Sequence, residues 1–248
     1  MMFFKGLRNY NQGKLDIKKG GACSHKKKYR FIYFKRSLKN VVGIIKRIER
    51  DPNRSAFIAL ILYNNGFMGY IIATQNMRLG LVIYNYNSFF IPKHHELING
   101  NNFCILNLPT GSLINHIELI PNMGACFIRS AGTTAKIIKK YNNEYTLIKL
   151  KSKEQRLINN KCFVNLGIVS NINNHLIKLK KAGQARWLGM QPHVRGRAKN
   201  PVDHPHGGRT NGGIIPRTPT GALTKGVLTR INKITSKFII INRRKLKR

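Results

Sequence analysis

The sequence predicts an all-β body with long basic extensions, on three observations. From residue 41 to about 108, and again from 109 to 183, the chain divides into short β-branched and aromatic runs. Turn-forming residues separate these runs, as strands of a small barrel require. Beyond residue 183 glycine, proline and basic residues dominate, and they cannot supply a core.

Taken in order, residues 1–33 contain little periodicity and the cluster His25, Lys26, Lys27, Lys28 and Arg30, which reads as a disordered basic extension. Residues 34–108 follow as a first β domain. VVGIIKRIE, AFIALILY, MGYIIA and LGLVIY are its strands, with turns at Asp51, Pro52 and Asn53 and at Asn64, Asn65 and Gly66. Arg54 has two readings there: partner to Asp51 within the turn, or a side chain exposed toward a polyanion. His94 and His95 have no partner pattern and receive no function. Residues 109–183 form a second β domain, with strands SLINHIELI, TTAKIIKK, EYTLIKL and CFVNLGIV. Asn142 and Asn143, then Ser152 and Lys153, make hairpin turns. Phe238 to Ile241 reads as a short strand docking on protein.

Charge narrows the partner. The net charge is +37. Residues 1–40 hold 12 Lys/Arg against Asp16, and residues 184–248 hold 15 against Asp203, so 25 of the 37 charges sit on the two ends. That is the footprint of arms laid into a polyanion. A membrane surface would need an amphipathic helix, which the C-terminal prolines and glycines forbid, and no apolar run reaches the ~20 residues of a span. Cys23, Cys104, Cys126 and Cys162 are widely spaced and read as thiols in a reducing compartment, the last three inside predicted strands.

Residues 184–213, QARWLGMQPHVRGRAKNPVDHPHGGRTNGG, hold the only tryptophan, three of the eight histidines and one acid. Pro192, Pro201 and Pro205 exclude a continuous helix or central strand. Arg186, Arg195, Arg197, Lys199 and Arg209 suit phosphate oxygens, and Trp187, His204 and His206 offer planes for stacking. A segment of this kind needs a partner to order it. Asp203, His204 and His206 also invite an enzyme reading, a metal-dependent hydrolase, but metal ligands and catalytic groups require a rigid surround that this sequence does not offer. A third reading is a nucleic-acid chaperone acting alone. With eight acidic residues in the chain, paired-carboxylate catalysis has almost no material.

RWLGMQPHVRGRAKNPVDHPHGG resembles the signature of the universal large-subunit ribosomal protein family two, bacterial type. Departures occur at Gln191, Arg197 and Lys199 and from Arg209 to Gly212. His25, Lys26, Lys27, Tyr29, Arg30, Phe34, Lys35 and Arg36 match the family's N-terminal arm, and Asp51 to Ala56 and Arg129 to Thr133 match its body. Lys149 stands where the family usually has Arg. Lys225, Arg230, Lys233 and Lys237 match its tail.

The resemblance implies an OB-fold barrel over residues 34–108, an SH3-like barrel over 109–183, and basic extensions at 1–33 and 184–248. It also implies a structural, non-enzymatic role as a ribosome constituent that binds large-subunit rRNA. The implied tasks are large-subunit assembly, subunit association and support of the peptidyl-transferase region. RNA contacts fall on His25, Lys26, Lys27, Arg30, Arg54, Arg129, Lys149, Arg186, Trp187, Arg195, Arg197, Lys199, His204, His206, Arg209, Lys225, Arg230 and Lys233. No cofactor is expected beyond Mg bound through rRNA, and no metal site. Partners are rRNA, neighbouring ribosomal proteins and, at the interface, the small subunit, with one copy per ribosome and no membrane. In the family, the residue matching His204 has been considered a contributor to peptidyl transfer; the reading favoured here is that it stacks on or donates to RNA. The 27 Asn and 31 Ile suggest an AT-rich genome, and the tail resembles bacterial and mitochondrial members. A mitochondrial ribosome is the expected setting, with a plastid or a bacterial cytoplasm as alternatives.

Overall fold

The computed structural model describes residues 29–87, 97–141, 144–188, 190, 192–209, 214–227 and 234–243. His25, Lys26, Lys27, Arg230 and Lys233, with Cys23, His94, His95 and the expected Asn142–Asn143 turn, lie outside them. The chain divides into two compact units. The first comprises the described residues from 29 to 178 together with 237 to 243, and the second those from 179 to 236.

The first unit is all β. β1 (Val41–Arg50), β2 (Phe57–Tyr63) and β3 (Met68–Ile72) form an antiparallel meander, and β4 (Val82–Asn85) pairs antiparallel with the other edge of β1. Alternation in β2 sends Ala59, Ile61 and Tyr63 into one core with Ile45, Ile71 and Ile83, and Ile58 into another with Ile32, Ala56, Ile72 and Val169. A strand buried on both faces must read as a continuous apolar run, which FIALILY does. Gly43 permits the β1–β2 packing: a Cβ there would lie 2.5 Å from Cγ2 of Ile61.

β4 meets β5 (Asn102–Cys104) in parallel at Asn85 and Asn102. Beyond it lie β6 (Leu113–Asn115), β7 (Ile117–Glu118), β8 (Ala125–Phe127), β9 (Ala135–Tyr141), β10 (Tyr145–Leu150), β11 (Gln155–Asn159), β12 (Phe163–Leu166) and β13 (Ile239–Ile241). β7 and β8 form a two-stranded sheet, and the others join one sheet in the order β13-β11-β10-β9-β6-β12-β5-β4-β1-β2-β3. A third core includes Phe103, Ile105, Leu108, Ile114, Ile137, Ile148, Ile158 and Val164. Phe103, Ile105 and Leu108 therefore pack with the second set of strands, ahead of residue 109. The architecture is consistent with an OB-fold followed by an SH3-like barrel.

Several strands differ from expectation for local reasons. SLINHIELI is two strands, because His116 takes φ 48° and turns the chain between β6 and β7. CFVNLGIV stops at Leu166, before Gly167 at φ 102°. Cys104 and Cys126 lie in β5 and β8, whereas Cys162 sits one residue before β12. One strand, β11, was not expected: it carries Arg156 on its inward face, where the guanidinium lies 4.9 Å from the ring of Phe127. β13 is the short strand expected near the C-terminus, and it pairs with β11 while Phe238 lies 5.8 Å from Tyr145.

The second unit is built from turns and local hydrogen bonds. Its one α-helix among the described residues is α1 (Ala182–Trp187), which the sequence reading places partly inside the arm. Leu188 N–H donates to the Gln184 carbonyl at its end, and no described helix is long and apolar enough to cross a membrane.

Candidate nucleic-acid interface

Residues 195–208 form a closed loop with His204 at its centre. The loop opens with a 3-10 turn over Gly196–Ala198, then returns through Asp203 N–H and His204 N–H, both donating to the Asn200 carbonyl. Gly207 N–H donates to the His204 carbonyl, and Gly208 N–H closes the loop on the Lys199 carbonyl. Two glycines allow the closure: a Cβ at Gly196 would meet the His204 ring at 2.6 Å, and one at Gly207 would meet the Asn200 carbonyl oxygen at 2.4 Å. His204 is 8% exposed. The rigid surround that the sequence does not announce is thus the loop's own backbone.

The imidazoles are committed to this structure. His204 Nδ1 accepts from the His206 backbone N–H at 3.0 Å, and the two rings lie 4.6 Å apart. His206 Nε2 accepts from the Arg217 N–H at 3.0 Å. Arg217 begins a second turn in which Thr218 N–H donates to Ala222, Gly221 N–H to Thr218 and Thr224 N–H to Pro216. Burial, then the neighbouring His206 and Lys199, lowers the pKa of His204, so the folded loop favours the neutral ring. Among the described residues no group of three His, Cys, Asp or Glu side chains is placed to hold a metal.

Around this loop the basic side chains face outward. Arg195, Arg197 and Arg209 are exposed, Lys199 is half-buried, and Lys225 is exposed on the second turn. Arg186 donates to the Met190 carbonyl at 2.8 Å, and Trp187 is 78% exposed. A bare indole that follows an arginine in sequence is suited to base stacking.

In the first unit the expected contacts separate into two kinds. Arg54 donates from Nε to Asp51 at 2.7 Å with only 16% of its side chain exposed, and Arg30 reaches the same carboxylate at 3.4 Å. Burial opposes the charge on Asp51, but the hydrogen bonds from Arg54 and Asn53 and the charges of Arg54 and Arg30 outweigh it and lower its pKa. Arg54 is therefore the turn's own partner, as in the first of its two readings. Arg129 is exposed and lies 4.9 Å from the ring of Phe34. Lys149 is exposed on β10 directly opposite Lys136 on β9. Sequence reasoning passed over Lys136, although counting outward from the Asn142–Asn143 turn it expects pairs the two lysines. Like charges opposite one another destabilise a sheet unless an anion lies between them.

A β body with outward lysines, followed by an exposed tryptophan and a glycine-shaped basic loop, defines an RNA-binding protein of the β-barrel class. Family models agree in detail: residues 5–85 match "Ribosomal Proteins L2, RNA binding N-terminal domain" and residues 98–223 match "Ribosomal Proteins L2, C-terminal domain". The large ribosomal subunit protein uL2 of Brucella melitensis biotype 1 is 44% identical over 247 residues, covering 98% of this chain and 86% of the relative. Those of Brucella canis and Brucella ovis match at the same identity and coverage. The chain belongs to the uL2 family of large ribosomal subunit proteins, of bacterial type.

Proposed function

We propose that the protein binds large-subunit rRNA through two devices, a β body and a preformed basic loop. Membership of the uL2 family makes it a structural constituent of the ribosome. The observation that carries the mechanism is the loop at residues 195–208, which its own hydrogen bonds close from Ala198 to Gly208 while Arg195, Arg197 and Arg209 remain outside. Phosphates would meet these arginines, and Trp187 would stack on a splayed base. His204 holds the loop's shape, so its contribution to the peptidyl-transferase region is the fold of the RNA around it rather than proton transfer.

In this reading residues 34–108 and 109–183 serve as two RNA-binding barrels, with Arg129 and Lys149 as contacts and Arg30 and Arg54 holding the Asp51 turn. His25, Lys26 and Lys27 in the N-terminal extension, and Arg230 and Lys233 in the tail, would neutralise further phosphate, and Mg would be bound through rRNA. Neighbouring ribosomal proteins, the small subunit and a single copy per ribosome complete the setting, and the Asn- and Ile-rich composition favours a mitochondrial ribosome. Sucrose-gradient sedimentation of cell lysate tests the assignment. The protein should co-sediment with the large subunit at moderate salt; recovery only in the unbound fractions would reject it in favour of a nucleic-acid chaperone.

A further inference from the structure

An open cleft of about 260 Å³ lies in the first unit, lined by Gln75, Leu97, Asn99, Leu113, Leu166 and Ile168 among others. Leu97, Leu113, Leu166 and Ile168 give it apolar walls, and the Gln75 and Asn99 carboxamides with the Ser112 hydroxyl supply side-chain polarity. Gln75 is half-buried and Asn99 exposed. Gly167 forms part of the floor at φ 102°; a Cβ there would lie 2.6 Å from Oδ1 of Asn99, so only glycine lets that amide occupy its position. The volume lies below the range of drug-sized pockets and suits one planar ring system.

Register ties the cleft to charge. Leu113 on β6 pairs with Lys136 on β9, which pairs with Lys149 on β10. Paired residues project from the same face of a sheet, so a cleft-lining leucine and two lysines stand in one row. Both lysines are exposed. A phosphate between them would relieve their repulsion, and it would stand a strand or two away from the cleft mouth.

We propose that this face binds one unpaired RNA nucleotide, with its base in the cleft against Gln75 and Asn99 and its phosphate on Lys136 and Lys149. The proposal rests on the rRNA-binding reading above and adds a site to it. An amide presents both a donor and an acceptor, so the pair can meet the edge of a splayed base.

The test uses the full chain and two probes, an eight-nucleotide oligouridylate and an abasic octamer with the same ribose-phosphate backbone. In fluorescence anisotropy, the Gln75→Ala/Asn99→Ala variant should lose about fivefold of the preference for the base-bearing probe, as expected for two neutral hydrogen bonds. The Lys136→Gln/Lys149→Gln variant should weaken both probes alike and flatten the log–log salt slope by roughly 0.7 for one phosphate. With 4-thiouridine in the probe, photocrosslinks should map to peptides containing Leu97, Leu113 or Ile168. An unchanged preference in the amide variant, or crosslinks confined to residues 182–227, would overturn the site while leaving rRNA binding intact. Loss of salt-dependent binding by the unmodified chain would remove both proposals.

Discussion

His116 shows how a single residue can be informative without touching a ligand. It occupies the left-handed region at φ 48°, is 6% exposed, and donates from Nδ1 to Oδ1 of Asn115. Burial first, and then the charges of Arg36, Arg129 and Arg54, push its pKa down to about 3. The unfolded chain therefore binds the proton more readily than the folded one between pH 6.5 and about 3. The stability from a neutral His116 is complete above pH 6.5 and is lost as pH falls through that window, on the order of a few kcal/mol. His116→Asn keeps a residue tolerant of this backbone and a donor for Asn115 but removes the titration. Its acid-unfolding curve, followed by circular dichroism, should be flatter than the parent's below about pH 6.5. His204 belongs to the same scale. The His204→Ala change should lower incorporation into large subunits, while particles that do assemble retain peptide-bond formation; a puromycin assay on gradient-purified subunits reads both. Neither role was visible in the sequence, because a histidine's chemistry depends on which ring nitrogen is already committed, and that is a tertiary fact.

At the scale of elements, the turn between β1 and β2 bears on the two readings of Arg54. Its guanidinium joins Asp51, whose carboxylate also accepts the Asn53 N–H at 3.0 Å. Removing the guanidinium leaves a fully buried carboxylate short of its main partner. The Arg54→Ala change should therefore destabilise the body by ~1.5–3 kcal/mol in urea unfolding, with rRNA-fragment affinity little altered once the protein is folded. A large affinity decrease at unchanged stability would restore the RNA-contact role. The strands that alternation or continuous apolarity announced, β1, β2, β3, β9 and β10, stand within a residue or two of their expected bounds. β11 escaped because Arg156 occupies an inward position, where it stacks over Phe127, and a charge at such a position disguises the period of two. The Ser152–Lys153 turn nevertheless implied that a strand must follow it.

At the scale of the whole molecule, charge distribution carried more of the function than any motif with catalytic chemistry. The sequence located the basic arm, but composition alone made it a segment awaiting a partner, because Gly and Pro announce irregular backbone without saying whether that backbone is internally bonded. Loop closure through Gly196, Gly207 and Gly208 is the missing information, and it follows from close approaches between residues up to nine positions apart. Under the proposed function, RNA would meet a loop with its arginines already arrayed, so less ordering entropy would oppose binding. The contribution of this loop can be separated from that of the body because β13 belongs to the body: truncating the whole C-terminus would also strip a strand from β11. Replacing residues 184–227 with a Gly-Ser linker keeps β13 while removing Arg186, Arg195, Arg197, Lys199, Arg209, Arg217 and Lys225. Affinity of the parent chain for an rRNA fragment should fall steeply with salt, and the linker variant should show a shallower log–log slope, by roughly 0.7–0.9 for each phosphate that the loop no longer neutralises. An equal slope in the two proteins would mean that the loop's cations do not meet phosphate and that the body alone carries the interaction.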